Sequence, residues 1–276
     1  MAWSKIKTII ILILLGTNLC LIGFTVNRVA QARQLEAQAR ADAIAFLQGK
    51  GIQLQEEQVP KTMTLNPMRV SRDIERECVL AAALLKGEVA VQARGAEVYR
   101  YYNQNGSVQF HSNGEFFARF AAGTMKAEDV TLEEHAQQTL ERLDIQGTVT
   151  ESVEEDGVWV LKFQEEWDGV PLLNCQATLN YENGALVSIT GGRRLIGEPE
   201  ENTSSSPITV ATALMKFYYG VEALGDACTQ ISSITQGYMV TATISDPMPM
   251  VPVWYIVTDV RSYQLDTLTG ELSCVA

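Results

Sequence analysis

Histidine is nearly absent from this chain, which has only His111 and His135 among 276 residues. A Ser–His or Cys–His catalytic pair needs a histidine base beside the nucleophile. No serine lies in a Gly-x-Ser-x-Gly sequence, and no cysteine lies in a papain-like or caspase-like context. Both histidines are therefore interpreted as ordinary surface residues, and the sequence does not predict a hydrolase of this class.

Sequence motifs for metals and nucleotides are also absent. The chain has no His-Glu-x-x-His, no Cys-x-x-Cys, no Walker loop and no Gly-x-Gly-x-x-Gly after a strand pattern. Two acidic groups lie at predicted hairpin tips: Glu151, Glu154, Glu155 and Asp156, then Glu165, Glu166 and Asp168. Calcium binding or paired-carboxylate catalysis is the alternative to a solvated tip, but the spacing matches no EF-hand. We expect no metal, no cofactor and no enzymatic activity.

Positive charge is in short supply. Lysine and arginine number 21 against 33 aspartates and glutamates, which gives a formal net charge of −12. Such a chain repels the phosphates of nucleic acids, so a nucleic-acid partner is not expected. A solvated acidic surface is the favoured interpretation of the excess. The apolar fraction of 46% is nevertheless typical of a packed core.

The five cysteines are widely separated and show no paired spacing. Cys20 lies in an apolar run near the N-terminus. The other four allow three disulfide pairings, among which the sequence does not choose: Cys78, Cys175, Cys228 and Cys274. A chain of this length does not depend on disulfides for stability, so free cysteines that pack as small buried apolar groups are favoured.

An uncharged apolar run from Ile9 to Val26 follows Lys5 and Lys7. As a helix it spans roughly 27 Å, about the thickness of the hydrocarbon core of a bilayer. The run therefore predicts a cytoplasmic tail at 1–8, a transmembrane helix at 9–27, a helical stalk at 28–50 and an extracellular body. A signal peptide cleaved after Ala32 and a lipid anchor at Cys20 are the less favoured alternatives.

Asn18 is a polar side chain in the middle of this run. A carboxamide in hydrocarbon is costly unless it is hydrogen-bonded, and a neighbouring helix can supply the bond. Small residues nearby allow close approach of a second helix. The predicted transmembrane contact site is Gly16, Asn18, Cys20 and Gly23. The alternative is that Asn18 faces lipid or bonds to its own backbone.

The body repeats one pattern of a helix followed by antiparallel strands. Helices are predicted at Ser71–Lys86, at Ala127–Leu143 with Thr131 near its start, and from Ser206-Pro207 onward. Strands separated by Asn-Gly, Asp-Gly or Thr-Gly turns are predicted at 97–102, 107–111, 115–120, 148–153, 158–166, 172–181, 185–191, 231–244, 253–258, 261–266 and 271–275. The predicted class is α+β, with units at 51–125, 126–200 and 201–276.

Three groups of residues, in this order along the chain, carry a family resemblance: Trp3-Ser4-Lys5-Ile6-Lys7-Thr8 before the apolar run; Phe163-Gln164 with Gly169-Val170-Pro171; and Pro252-Val253-Trp254-Tyr255 with Tyr263, Asp266, Thr269 and Gly270. The ordered set resembles the YycI family of sensor-kinase regulatory proteins. The last group also resembles a PepSY-type helix-and-sheet module. The family usually has an aspartate before the tryptophan, where this chain has Ala2, so a contact of that acid does not carry over.

The resemblance implies a single-pass protein without catalytic residues. Its extracellular body is implied to pair with a YycH-like protein, and its membrane helix to contact the sensor histidine kinase WalK, which controls cell-wall metabolism in Gram-positive bacteria. The sign of that control differs among family members and stays open. An alternative function is a PepSY-type tethered inhibitor or chaperone of a secreted protease or cell-wall hydrolase.

Overall fold

The computed structural model describes residues 2–95, 97–192, 196–241 and 247–275, except for the side chains of 2–6 and 8–13. Within these residues the chain forms four α-helices and fourteen strands. The helices are α1 Ala2–Gly49, α2 Ile74–Leu84, α3 Leu132–Glu141 and α4 Val210–Leu224. The predicted mixed α+β class is confirmed. A short 3-10 helix, Glu56–Gln58, follows α1.

The strands are β1 Met68–Val70, β2 Ala90–Ala93, β3 Tyr99–Asn103, β4 Gly106–Phe110, β5 Glu115–Phe120, β6 Gln146–Glu155, β7 Val158–Trp167, β8 Val170–Glu182, β9 Ala185–Gly192, β10 Pro199–Glu201, β11 Ile231–Val240, β12 Met248–Thr258, β13 Ser262–Asp266 and β14 Leu272–Cys274. They join in one path, β10-β1-β12-β11-β8-β9-β5-β4-β3-β2. Strands β7 and β6 continue from β8, and β13 and β14 continue from β12. All of these pairings are antiparallel except one, a single parallel pair between Leu172 and Tyr238 that links β8 to β11.

The hairpin turns follow from their sequences. In the β6–β7, β7–β8 and β8–β9 hairpins, an Asp or Asn with positive φ is followed by a Gly with positive φ: Asp156-Gly157, Asp168-Gly169 and Asn183-Gly184. Positive φ at both central residues is the geometry of a type I′ turn, which matches the twist of the flanking strands. The predicted hairpins of this region are confirmed.

The residues pack into three buried clusters. The largest lies between α2, α3 and the sheet β3-β4-β5-β9-β8-β7, and its centre includes Leu84, Leu140 and Leu179. The second lies between the end of α1, α4 and strands β11 to β13, around Phe217 and Trp254. A third cluster, with β1, β8, β11 and β12, lies at the junction of the two parts. Helices α2 and α3 were predicted in separate units, but they cover the same core. The predicted boundaries of the units stay a prediction.

Several element boundaries differ from the sequence expectation. Helix α2 is capped by Asp73, which accepts a hydrogen bond from the Arg76 N–H at 2.9 Å, and not by Ser71. Helix α4 is capped by Thr209, so Pro207 lies before the helix and not in its first turn. In α3, Thr131 caps as expected and forms a reciprocal capping box with Glu134. The helix therefore begins at Leu132, five residues after the predicted start at Ala127. The predicted strand at 231–244 ends at Val240 within the described residues, and 242–246 lie outside them.

Helix α1 is continuous over 48 residues, about 72 Å at the standard rise. Its described side chains between residues 14 and 39 are all exposed, and burial begins at Arg40. In the part of the chain whose side chains are described, no helix holds a stretch long and apolar enough to cross a membrane. The side chains of residues 9–13, which belong to the predicted span, lie outside that part.

Candidate functional site

The junction between α1 and the body is held by one buried arginine. Arg40 is 7% exposed, and its guanidinium donates to the carbonyl oxygens of Pro60 at 3.0 Å, Val59 at 2.9 Å and Glu56 at 2.6 Å. It also donates to the carboxylate of Glu56 at 2.8 Å. A fixed fork of donors suits such a cluster of acceptors. The turn after α1 is thereby fastened to the helix by a side chain of the helix itself.

Apolar contacts complete this junction. Ala43, Ile44 and Leu47 are buried in the same cluster as the buried face of α4. Phe46 meets Tyr218 of α4 edge to face, with ring centroids 5.3 Å apart. Because both polar and apolar contacts hold the last two turns of α1, the helix and the body form one mechanical unit at this point. We call the contacts of residues 40–47 the helix joint.

Leu35 lies one to two turns before the helix joint and is not buried against the body. Its side chain is 68% exposed, whereas Ile44 and Leu47 are buried and Phe46 is half-buried. Leu35 instead lines an open groove of about 530 Å³ beside the helix joint. The opposite wall of the groove is the segment before α4 and the loop at 61–63. Counted from its N-terminus, the described part of α1 is therefore first buried against the body at Arg40.

The four residues of the predicted transmembrane contact all lie on the free part of α1, and all are exposed. A Cβ added at Gly16 or Gly23 would meet nothing within 4 Å. Since residues of an α-helix are about 100° apart, Gly16, Cys20 and Gly23 share one face. Asn18 lies on the opposite face, about 160° away, so one partner helix does not reach all four. The Asn18 amide donates to the Leu14 carbonyl at 2.9 Å, the backbone bond given above as the alternative.

The larger part of the sheet leaves one face uncovered by its own helices. Helices α2 and α3 pack on the side of Leu161 and Leu179. Side chains on the other side follow two cross-strand rows: Arg100, Gln109, Phe117, Thr190, Thr178, Lys162 and Glu151, then Tyr102, Ser107, Arg119, Ser188, Asn180, Val160 and Val153. We call these rows the open sheet face. A polar outer face is common in antiparallel sheets, and the aromatic and arginine side chains on this one are of types enriched in protein contacts.

A depression of about 330 Å³ lies at one end of the open sheet face. It is lined by residues of β5, β8 and β9, among them Phe117, Gln176, Thr178 and Thr190, and by His111 at its rim. Gly191 forms part of the floor, where an added Cβ would meet the Cα of Ala177 at 2.6 Å. Strands β8 and β9 approach closely there because glycine leaves room.

The two histidines differ in environment. His111 is half-buried at the rim of the depression. His135 was expected at the surface but is buried at 7% exposure, with Nδ1 2.9 Å from the hydroxyl oxygen of Tyr181. Burial, and secondarily the charges of Arg142 and Lys86, lower the pKa of His135 below its usual value. Burial also raises the pKa of Tyr181, so both groups are neutral at neutral pH.

The acidic groups predicted at hairpin tips do not converge on a metal. Glu151 pairs with Lys162 at 2.6 Å across β6 and β7, and Glu165 is buried in β7, not at a solvated tip. Among the described residues, no group of three or more His, Cys, Asp or Glu is arranged to hold an ion. Sequence reasoning missed a buried ion pair, in which Arg72 Nε lies 2.6 Å from Glu77 Oε1. The two residues are only five apart, but nothing in that spacing marks them as buried.

The five cysteines are free thiols in the structure. Cys175 is buried, Cys78 and Cys228 are half-buried, and Cys274 is exposed. Burial raises the pKa of Cys228 to about 11, so this thiol stays protonated and unreactive at neutral pH. The expectation of buried free cysteines therefore holds for Cys175 and fails for Cys274.

No protein-family model matches the chain, and no curated protein matches it. The chain is similar to the crystal structure of an uncharacterised protein from Eubacterium rectale ATCC 33656, at 13% identity over 77% of this chain and 86% of that chain, with a TM-score of 0.47. It is also similar to the C-terminal domain of Bacillus megaterium YpeB, at 11% identity over 75% and 99% of the two chains, with a TM-score of 0.36. Resemblances this distant carry no argument about family or activity.

Proposed function

We propose that this chain is a membrane-anchored, extracytoplasmic regulator of a WalK-type sensor histidine kinase. It acts by binding and not by catalysis, with its N-terminus in the cytoplasm and its body outside. Its partners are the kinase and a YycH-like protein, and the controlled process is cell-wall metabolism. The family resemblance of the sequence supports the choice of partners, and the helix joint supports the mode of action.

The observation that carries the proposal is the continuity of α1 into the helix joint. A regulator changes a kinase only if it binds one kinase state better than another. A body that binds a partner outside must therefore pass its orientation to the helix. No flexible linker interrupts α1 between Ala2 and Gly49, and Arg40 fastens its end to the body. Rotation or tilt of the body is thus transmitted to the helix.

A simple tether does not need such a joint, because a flexible polar linker gives the same reach. The alternative function, a tethered PepSY-type inhibitor or chaperone of a secreted protease or wall hydrolase, is favoured by one observation, the open sheet face. In that case the body alone does the work and any anchor suffices. The two functions therefore differ in whether the particular membrane helix matters.

The test replaces residues 9–27 with an unrelated apolar helix of equal length in the full chain. The output of a kinase-dependent reporter is then compared with that of the parent chain. The proposed function predicts loss of control in the chimera, with the body still present at the membrane. Retained control would show that the helix is only an anchor and would favour the alternative.

A further inference from the structure

Two arginines on the open sheet face have no acidic partner within the described part of the chain. Among the described residues, Arg100 and Arg119 form no ion pair, whereas Lys162 on the same face pairs with Glu151. The Nε atom of Arg100 is shielded from solvent and has no hydrogen-bond acceptor in that part of the chain. A shielded donor without an acceptor costs free energy, and no group of the described chain compensates that nitrogen. Unpaired cations are notable in a chain with a net charge of −12.

Each arginine lies against an aromatic ring. The guanidinium carbon of Arg100 is 5.4 Å from the ring centroid of Tyr102, and that of Arg119 is 5.4 Å from the ring centroid of Phe117. Tyr102 is 41% exposed, so the strip also offers apolar area. Stacking restrains a guanidinium, which reduces the entropy lost when it binds a carboxylate. We call these four residues the arginine–aromatic strip.

The strand register fixes the spacing of the two charges. Arg100 is opposite Gln109, which is opposite Phe117, and Arg119 lies two residues farther along β5. Two strand spacings and two residues along a strand place the two Cα atoms about 12 Å apart. In an extended chain, residues four positions apart are about 13 Å apart and point to the same side. An extended segment therefore matches both arginines with acidic residues four positions apart.

We propose that the arginine–aromatic strip binds an extended acidic segment of a partner protein, with two acidic residues four positions apart and apolar side chains between them. Charge complementarity selects an acidic partner, and the two rings select a peptide that also brings apolar groups. This surface goes beyond the proposed function and holds whether or not a kinase is the target.

The test uses the full chain in a non-ionic detergent and a fluorescent 12-residue peptide with glutamates four positions apart. Binding is followed by fluorescence anisotropy at low and at high salt. Arg100→Gln and Arg119→Gln are each expected to weaken binding by about tenfold or more, because each removes a charge-assisted bond. Arg119→Lys is expected to recover only part of the affinity, since lysine keeps the charge and lacks the fork. Thermal unfolding of every variant checks the fold.

Lys162→Gln is the matched control, because it removes one positive charge from the same face at a residue that is already paired. It is expected to change peptide affinity less than about twofold, as for an exposed ion pair. No binding of the peptide, or an equal loss in Lys162→Gln, would overturn the proposal. Tighter binding of inorganic polyphosphate than of the peptide, with the same dependence on Arg100 and Arg119, would also overturn it and indicate a phosphate polymer.

Discussion

The guanidinium of Arg40 donates a hydrogen bond of 2.8 Å to the carboxylate of Glu56, across the turn that follows the long N-terminal helix. The same guanidinium donates to three backbone carbonyl oxygens of residues 56–60. Arg40 is buried, whereas the Glu56 side chain is 70% exposed. Removing Arg40 takes a donor from three backbone carbonyl oxygens, whereas removing the Glu56 carboxylate takes only one of four acceptors from Arg40. Arg40 is therefore expected to contribute more to stability than Glu56.

Arg40→Ala is expected to destabilise the helix joint by about 2–3 kcal/mol, because the Val59 carbonyl oxygen loses a donor at a buried position and the Pro60 carbonyl oxygen loses one at a partly buried position. Glu56→Gln is expected to cost less than about 1 kcal/mol, as for an exposed ion pair. Urea unfolding gives the free energies, and hydrogen exchange of residues 52–60 locates the change. Equal effects of the two substitutions would contradict the role assigned to Arg40.

Asn18 and the small residues of α1 are expected to contact different helices, because they lie on opposite faces. Asn18→Leu is expected to change the output of a kinase-dependent reporter about threefold, which corresponds to the ~0.6 kcal/mol typical of a hydrogen bond between membrane helices. The body is expected to stay folded. Photocrosslinkers placed at Asn18 and at Cys20 in native membranes are expected to capture different partners. Identical captures, or an unchanged reporter in Asn18→Leu, would count against this arrangement.

The buried pair of Arg72 and Glu77 is expected to matter far more than an exposed one. Glu77→Ala leaves a buried guanidinium without its carboxylate and is expected to cost about 3–5 kcal/mol. Glu200→Ala breaks the ion pair with Arg69, in which the Arg69 side chain is 50% exposed and the Glu200 side chain is 72% exposed. This substitution is expected to cost less than about 1 kcal/mol. Chemical denaturation of the two variants measures both costs. The prediction fails if the two costs are similar.

Stability is expected to depend on pH through His135. Because burial lowers the pKa of this imidazole in the folded state, the unfolded chain binds the proton more readily. Protonation of His135 therefore does not reduce the free energy of unfolding above the unfolded-state pKa of about 6.5. The free energy of unfolding declines as pH falls from there towards the lowered pKa of the folded state. Denaturation midpoints between about pH 5 and 7 measure this slope. His135→Gln is expected to flatten it, and a slope unaffected by this substitution would disprove the assignment.

The parts of the fold that the sequence predicted are those whose signals are local. Asp156-Gly157 and Asn183-Gly184 specify their turns through backbone conformation alone, and the strands beside them are confirmed. Thr131 likewise signals the start of α3 through its own hydrogen bond. Each of these features depends on residues within a few positions of one another.

The parts that the sequence did not predict depend on distant residues. Strands β1 and β10 are three residues each, and their pairing joins Arg69 to Glu200, 131 positions away. The burial of His135 depends on which face of α3 meets Tyr181. The arginine–aromatic strip exists because three strands bring Arg100 and Arg119 onto one face. No local pattern encodes these pairings, so they emerge only from the sheet register.

The most direct test of coupling between membrane helix and body inserts a flexible segment into the exposed part of α1. An insertion of about seven Gly and Ser residues after Gln34 leaves the apolar run, the helix joint and the body unchanged. A helix-forming insertion of the same length, about two turns, is the matched control. Coupling predicts that the kinase-dependent reporter loses control with the flexible insertion and keeps it with the helical one. Control retained with the flexible insertion would contradict coupling and leave α1 as a tether.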